Sequence, residues 1–391
     1  MVKSNQEKKS NPKLKVAVGC QGGGAHAAFG VGVLAEILRA YEKERFDLVG
    51  LSGTSAGALC MLMTWYGLVP KRHGSGGSAQ EAIDTLEGFW DNFAASKPAE
   101  ILLNAFAFRT IAAEETELPI FGINAPILGL NPAGALYRAM TACLPSFGVR
   151  KQYFDFRVML DEACPRFDVI DWEKVRTRLL VGASEVLNGI ETVFDSDCNK
   201  GGGHRKPRIS HRWRQQLPLS LEGVAASGTL PTLREAERIG GNYYWDGLYS
   251  QNPPVRELIA GVDQKEVPDE LWIIRINPQQ WPAEPKNNGE IQDRQNELMG
   301  NLSLNKELDF ILTVNAWNEL YKYEKFGKDH KHVTMRTIKM EKTTADEMRY
   351  SSKFNRSHEF MNQLRCEGRR VAKAWLEKWP NVPCYPEDAG Y

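Results

Sequence analysis

Three stretches of this 391-residue chain bring together residue types that can do covalent chemistry. The first is Gly53-Thr54-Ser55-Ala56-Gly57, a G-x-S-x-G string. A serine that acts as a nucleophile from such a turn sits on strained backbone between a strand and a helix. Small residues two positions to either side let the strand and the helix close on each other. Gly53 and Gly57 fill those places, and a helix starting behind Ser55 favours negative charge developing there. The competing reading is a glycine-rich turn with an idle serine. The second stretch is Gln21-Gly22-Gly23-Gly24-Ala25-His26-Ala27. Consecutive glycines let main-chain N–H groups point into one concavity, which suits an anion. Two anions are candidates, a nucleotide pyrophosphate and the oxyanion of an acyl-transfer intermediate. The dinucleotide fingerprint is incomplete, because Ala27 stands at its last glycine and Asp47 starts the next strand instead of ending it. An oxyanion loop beside the serine turn is the better fit. The third stretch is Tyr244-Trp245-Asp246-Gly247, followed by Asn252-Pro253-Pro254. A carboxylate at a strand end can project into a site at the sheet edge, although most Asp-Gly pairs are simply turns.

These residues need elements to hold them. Leu14 to Cys20 is β-prone and ends in the glycine run; Phe29, Val33, Leu34, Ile37 and Leu38 then fall on one helical face. Phe46 to Leu51 reads as a second strand, and Ala58 to Tyr66 as a strongly apolar helix. Strand, loop, helix, strand, turn, helix is a βαβα opening and predicts an α/β fold with a parallel, helix-covered sheet. Further strands are expected at Arg178–Ser184, Glu191–Phe194, Tyr243–Trp245 and Leu271–Ile276, and a helix at Ser220–Ser227. Residues 81–150 read as mainly helical, broken by Pro98, Pro119, Pro126 and Pro132. Later come one or two amphipathic helices over 290–326, an edge strand at Val333–Met340, and a helix over 343–379. No internal repeat or long low-complexity segment is present.

Taken together, Gly22-Gly23-Gly24-Ala25-His26, Gly53-Thr54-Ser55-Ala56-Gly57 and Asp246-Gly247 resemble, in order and context, the patatin-like phospholipases. Ala225-Ala226-Ser227-Gly228-Thr229-Leu230-Pro231 looks like the family's Ala-Ser…Pro segment ahead of its aspartate. Leu271-Trp272 to Asn277-Pro278 and Asn301-Leu302-Ser303-Leu304-Asn305 look like one bacterial branch of it. The resemblance spans about residues 14 to 280. It implies a three-layer α/β/α fold with a mainly parallel central sheet, 14–280 forming the hydrolase domain. Residues 1–13 would be a disordered basic tail and 281–391 a mainly helical C-terminal extension. It implies lipid acyl-ester hydrolysis by a Ser–Asp dyad, with Ser55 as nucleophile and Asp246 as base. Gly22, Gly23, Gly24 and Ala25 would form the oxyanion hole, and no cofactor or metal would be needed. An ordinary aspartate has a pKa of about 3.9, so such a base needs close positioning or an environment that raises its basicity. Two positions depart from the family: Ala27 replaces a glycine, and Leu248 stands where the family has Gly or Ala, adding bulk beside the base. An ester, thioester or acyl-transfer substrate, or a silent lipid-binding module, are the alternatives.

A Ser, Asp, His triad is also permitted by order, since His330, His332 and His358 follow Asp246, but they sit in charged, motif-free sequence. His26 reads as local structure; His73, His204 and His211 read as loop residues, and no histidine pair has metal-ligand spacing. Ile101, Leu102, Leu103, Phe106, Phe108, Phe121, Ile127, Leu128 and Leu130 form core, a lid or an acyl channel. Lys200, Arg205, Lys206, Arg208, Arg212 and Arg214 form a solvated loop or a contact with an anionic membrane surface. Lys+Arg and Asp+Glu both number 49, a balance that argues against a nucleic-acid binder. The seven cysteines include no C-x-x-C pair, which points to a reducing compartment. The polar N-terminus lacks the apolar run of a secretory signal, and no run of about 18 apolar residues occurs. The expected location is cytoplasmic, with peripheral membrane contact; oligomeric state is not legible.

Overall fold

The computed structural model describes residues 13–72, 77–115, 141–203, 212–231, 233–260, 262–281, 283–321 and 330–387. Nine strands among them join one sheet: β1 (Lys15–Cys20), β2 (Asp47–Thr54), β3 (Arg178–Glu185), β4 (Ile190–Asp195), β5 (Arg214–Pro218), β6 (Glu237–Ile239), β7 (Asn242–Asp246), β8 (Glu270–Arg275) and β9 (Thr334–Lys339). The order across the sheet is β5-β4-β3-β2-β1-β8-β9, with β7 also paired to β3 and β6 to β7. β3, β2, β1, β8 and β9 run parallel. β4 and β7 run antiparallel to β3. Residues beyond 281 thus supply the edge strand of the same sheet as well as helices.

Eight helices position the site: α1 (Ala28–Glu42), α2 (Ala56–Leu68), α3 (Ala79–Phe93), α4 (Pro98–Glu115), α5 (Phe156–Ala163), α6 (Leu221–Ser227), α7 (Asn288–Leu320) and α8 (His358–Lys378). Side chains alternate across a strand, and the core divides accordingly. Val16, Val18, Cys20, Trp272 and Ile274 face the layer that holds α1, α2 and α8. Ala17, Leu180, Leu271 and Ile273 face the other layer, where Leu304, Leu308 and Ile311 of α7 close over them. Strands covered on both faces read as unbroken apolar runs, and every residue of β8 is buried. The architecture is α/β/α with a mainly parallel centre.

Of the one or two helices expected over 290–326, the described residues hold one, Asn288–Leu320, capped at its start by the Asn287 side chain, which accepts Glu290 N–H at 2.8 Å. The helix expected over 343–379 is broken. A short helix, Lys342–Glu347, ends before a turn at Ser351–Phe354, and α8 starts afresh after Ser357, whose hydroxyl caps Phe360 N–H. The interruption lets Tyr350, Lys353, Phe354 and Arg356 leave the helix layer and line a cavity.

The basic loop is likewise different from its expectation. Arg214 begins β5 and is buried, its guanidinium paired with Glu257 and, at 2.8 Å, with Glu307. Lys200 pairs with Asp197 at 2.7 Å. Arg212 lies over the ring of Trp213. Arg205, Lys206 and Arg208 lie outside the described residues, as do residues 1–12 and Phe121, Ile127, Leu128 and Leu130. Among the described residues no helix is long and apolar enough to cross a membrane.

α1 and α8 pack closely, and the approach depends on two glycines. A Cβ on Gly32 would lie 2.1 Å from Arg365 O, and one on Gly368 would lie 2.1 Å from Phe29 O. Each helix therefore presents bare backbone to the other. Gly368→Val is expected to destabilise the protein by about 1–3 kcal/mol or more through overpacking. Gly88→Ala, at an exposed α3 position where a Cβ would meet nothing within 4 Å, is expected to raise stability by about 0.5–1 kcal/mol. Thermal unfolding of both variants beside wild type checks the opposite signs; equal midpoints would contradict the packing account.

Candidate active site

Ser55 sits between β2 and α2 with φ 56° and ψ −131°. That left-handed φ is uncommon for a residue with a Cβ and marks stored strain. The backbone on either side of it is crowded. A Cβ on Gly53 would meet Gly57 O at 2.5 Å, and one on Gly57 would meet Cys20 O at 2.4 Å. The turn is pinned from α6: Ser227 Oγ accepts Ser55 N–H at 2.9 Å and donates to Gly182 O at 2.6 Å. Ser55 is the N-cap of α2, so its hydroxyl stands at the positive end of a helix dipole.

Asp246 reaches the same place along a different strand. The last β2 pair along β3 is Thr54 with Gly182; the next residue of β3, Ala183, pairs with Asp246 of β7. β2 arrives parallel and β7 antiparallel, so their ends meet head-on against one edge of β3. Gly247 makes room, since a Cβ there would lie 2.4 Å from Gly182 O. Asp246 is 1% exposed. Its Oδ1 accepts Leu248 N–H at 2.8 Å, whereas Oδ2 is buried without a well-aligned hydrogen bond. Burial pushes the carboxyl up to about 7, against the opposing pull of the nearby Ser55 hydroxyl and Leu248 N–H. A carboxyl near neutrality beside a serine hydroxyl can take that hydroxyl's proton at physiological pH.

The glycine loop closes the third side. Gly22 lies so near that a Cβ on it would meet Ser55 Cβ and Thr54 O, each at 2.6 Å. Gly22, expected among the oxyanion donors, gives its N–H to Asn252 Oδ1 at 2.6 Å. In this arrangement that N–H is already engaged. The N–H groups of Gly23, Gly24 and Ala25 have no hydrogen-bond partner among the described residues. Gln21 holds the loop in register with β8: its Oε1 accepts Ile276 N–H at 2.9 Å, and its Nε2 donates to Asn301 Oδ1 at 2.9 Å. Asn252 and Asn277 lie in segments that the sequence marks, each before a proline, but nothing local tells which backbone group each one meets.

Ser55, Asp246 and Gly22 to Gly24 line one cavity of about 210 Å³, walled largely by Leu59, Phe93, Phe156 and Leu230. Leu248 is in the wall, and its backbone serves Asp246 whatever its side chain. Among the described residues no histidine lines this cavity. His26 is buried, within 2.7 Å of Ser352 Oγ, and burial with the nearby Lys353 charge holds it well below its usual pKa, so it is neutral. His332 and His358 are exposed, and His358 borders a different hollow beside Ser96 and Asn104. Among the described residues no cluster could hold a metal ion. On α4, Ile101, Leu102 and Phe106 are exposed to solvent, where the sequence left open a core position.

A search of curated proteins finds none that matches this chain. Among solved structures it is similar to VipD from Legionella pneumophila, at 15% identity and a TM-score of 0.36, over 91% of this chain and 67% of that one. It is also similar to the type III effector protein ExoU, at 12% identity and a TM-score of 0.31, over 94% of this chain and 53% of that one. The full-length ExoU solved with SpcU from Pseudomonas aeruginosa gives 13% identity and a TM-score of 0.26, covering 94% of this chain and 54% of that one. The chain thus spans about half of ExoU's length. A family model for patatin-like phospholipases matches residues 20–259, more than half of the chain. That stretch takes in the glycine loop, the serine turn and the Asp-Gly pair in the order in which the fold assembles them, and the chain belongs to the patatin-like phospholipases, hydrolases of lipid acyl esters.

Proposed function

We propose that Ser55 and Asp246 are the catalytic pair of this lipid acyl hydrolase. The observation that carries the reading is the buried, unmatched Oδ2 of Asp246 beside the Ser55 hydroxyl in one apolar cavity. Ser55 Oγ attacks the ester carbonyl carbon, and its proton passes to Asp246 Oδ2. The carbonyl oxygen becomes an oxyanion and is received by the N–H groups of Gly23, Gly24 and Ala25. Collapse breaks the bond to the leaving alcohol, which takes the proton from Asp246. Water then attacks the acyl-Ser55 ester, giving a proton to Asp246, and the fatty acid leaves as Ser55 regains its hydrogen.

A fluorophosphonate probe is expected to label the wild type and not Ser55→Ala. Asp246→Asn should lower turnover by about 10²–10⁴-fold, the usual contribution of a positioned base, with the circular-dichroism spectrum unchanged. An unlabelled wild type, or a fully active Asp246→Asn, would refute the pair.

Activity should also follow the protonation of Asp246. Its basic form grows as pH rises through about 7, so kcat/KM toward a non-ionising ester should climb through that point and level off above it. A pH–rate profile already flat from about pH 5, as an ordinary aspartate of pKa about 3.9 would give, would count against a buried base.

We further propose peripheral contact with a lipid surface through α4. Its exposed Ile101, Leu102 and Phe106 are unusual for a surface helix. The helix is tied to the cavity wall, because Asn104 Oδ1 accepts Arg356 N–H at 2.8 Å. Leu102→Glu combined with Phe106→Glu should weaken co-sedimentation with phospholipid vesicles while hydrolysis of a soluble ester persists. Unchanged vesicle binding would remove α4 from the contact.

A further inference from the structure

The cavity around Ser55 carries cations that the acyl-transfer chemistry does not use: Arg234 lies within the stretch matched by the family model, whereas Lys353 and Arg356 come from beyond it. Lys353 and Arg356 lie in the turn that interrupts the C-terminal helices, and both line the cavity. Lys353 is locked to the glycine loop: Gly24, at φ 56°, passes so close that a Cβ on it would lie 2.4 Å from Lys353 O. The ammonium donates to Asn277 Oδ1 at 3.1 Å and to Asn296 Oδ1. An ammonium has three donors, so one remains without a partner among the described residues. The guanidinium of Arg356 donates to Phe93 O and, at 2.8 Å, to Tyr153 O, and stacks on both rings. Neither cation has a carboxylate within ion-pair distance among the described residues. Burial pulls Lys353 down to about 8, against the opposing pull of Glu297 and Asp293, and Arg356 down to about 10. His26, at the loop's own basic position, is neutral and contributes no charge.

The geometry points to Lys353, supported by Arg356, as the residue that selects substrates bearing a phosphate near the scissile ester. This rests on the Ser55–Asp246 reading and adds the source of head-group preference: the C-terminal segment.

The test uses the full chain and two soluble substrates with identical acyl chains, dihexanoyl phosphatidylglycerol and dihexanoylglycerol. The readout is the ratio of their kcat/KM values. Lys353→Met should lower that ratio by about tenfold or more, as expected for loss of a charged hydrogen bond. Lys353→Arg should restore much of it. In the wild type the ratio should fall as pH rises past about 8, because the ammonium then loses its proton. The groups facing Lys353 are Asp293 and Glu297 of α7, and neutral His26, so none of them reverses that sign. If the wild type hydrolyses both substrates and Lys353→Met leaves the ratio within about twofold, the assignment to Lys353 is overturned while the catalytic pair stands. If the wild type hydrolyses neither and resists fluorophosphonate, the catalytic pair falls and this assignment falls with it.

Discussion

Along one edge of β3, two strands run toward each other and stop one residue apart. Everything in the site depends on that meeting. β2 ends at Thr54 opposite Gly182, and β7 ends at Asp246 opposite Ala183. A slip of one residue in β7 would turn Asp246 to the opposite face. The register is therefore held from several sides. Thr229 O accepts the Asp246 N–H at 2.9 Å, Ser184 Oγ donates to Asp246 O at 3.1 Å, and Thr54 Oγ1 donates to Gln251 O at 2.7 Å. Small residues fill the junction because the backbones there leave no volume for anything larger.

That crowding also sets the electrostatics. A carboxyl enclosed by Gly22, Thr54 and Gly247 sees little water, so its charged form is disfavoured and its basicity rises. The same enclosure depresses His26 and Lys353, with opposite consequences for charge. His26 loses its proton and becomes a hydrogen-bonding strut for Ser352. Lys353 keeps its proton around neutrality and lies as a fixed cation against the glycine loop. One low-dielectric region thus separates three groups by function without a metal-ligand cluster among the described residues.

The sequence reveals the parts of this site that are local. Ser55 is announced by its glycines and by the change from strand to helix pattern. Asp246 is visible as a strand-ending Asp-Gly, and Ser227 as a small-residue segment ahead of it. The opening βαβα unit, β8 and the edge strand β9 follow from apolar periodicity alone. The hidden parts are partnerships across great chain distance. Asn252 acts on Gly22, Asn301 on Gln21 and Ser352 on His26, and nothing local tells which group each of them meets. Gly22 could not be separated from its neighbours as a donor, because its competing acceptor is a side chain 230 residues away. Arg214 departs from expectation for a related reason: its charge suggests solvent, but it is buried against Glu257 and Glu307. The break between the last two helices was masked by residues that favour helix on both sides of it.

The reach of those partnerships has a consequence for synthesis. Gln21 and Asn301 are 280 positions apart, and His26 and Ser352 are 326 apart. A ribosome adds about 5–20 residues each second, so the glycine loop leaves the exit tunnel many seconds before its supports exist. During that interval Ser55 and Asp246 can be translated, and even paired on β3, while the loop beside them lacks the contacts that fix its N–H groups. The supports from Ser352 and Lys353 reach the loop only after those residues have emerged. The contacts that hold the glycine loop are thus among the later ones the growing chain can make.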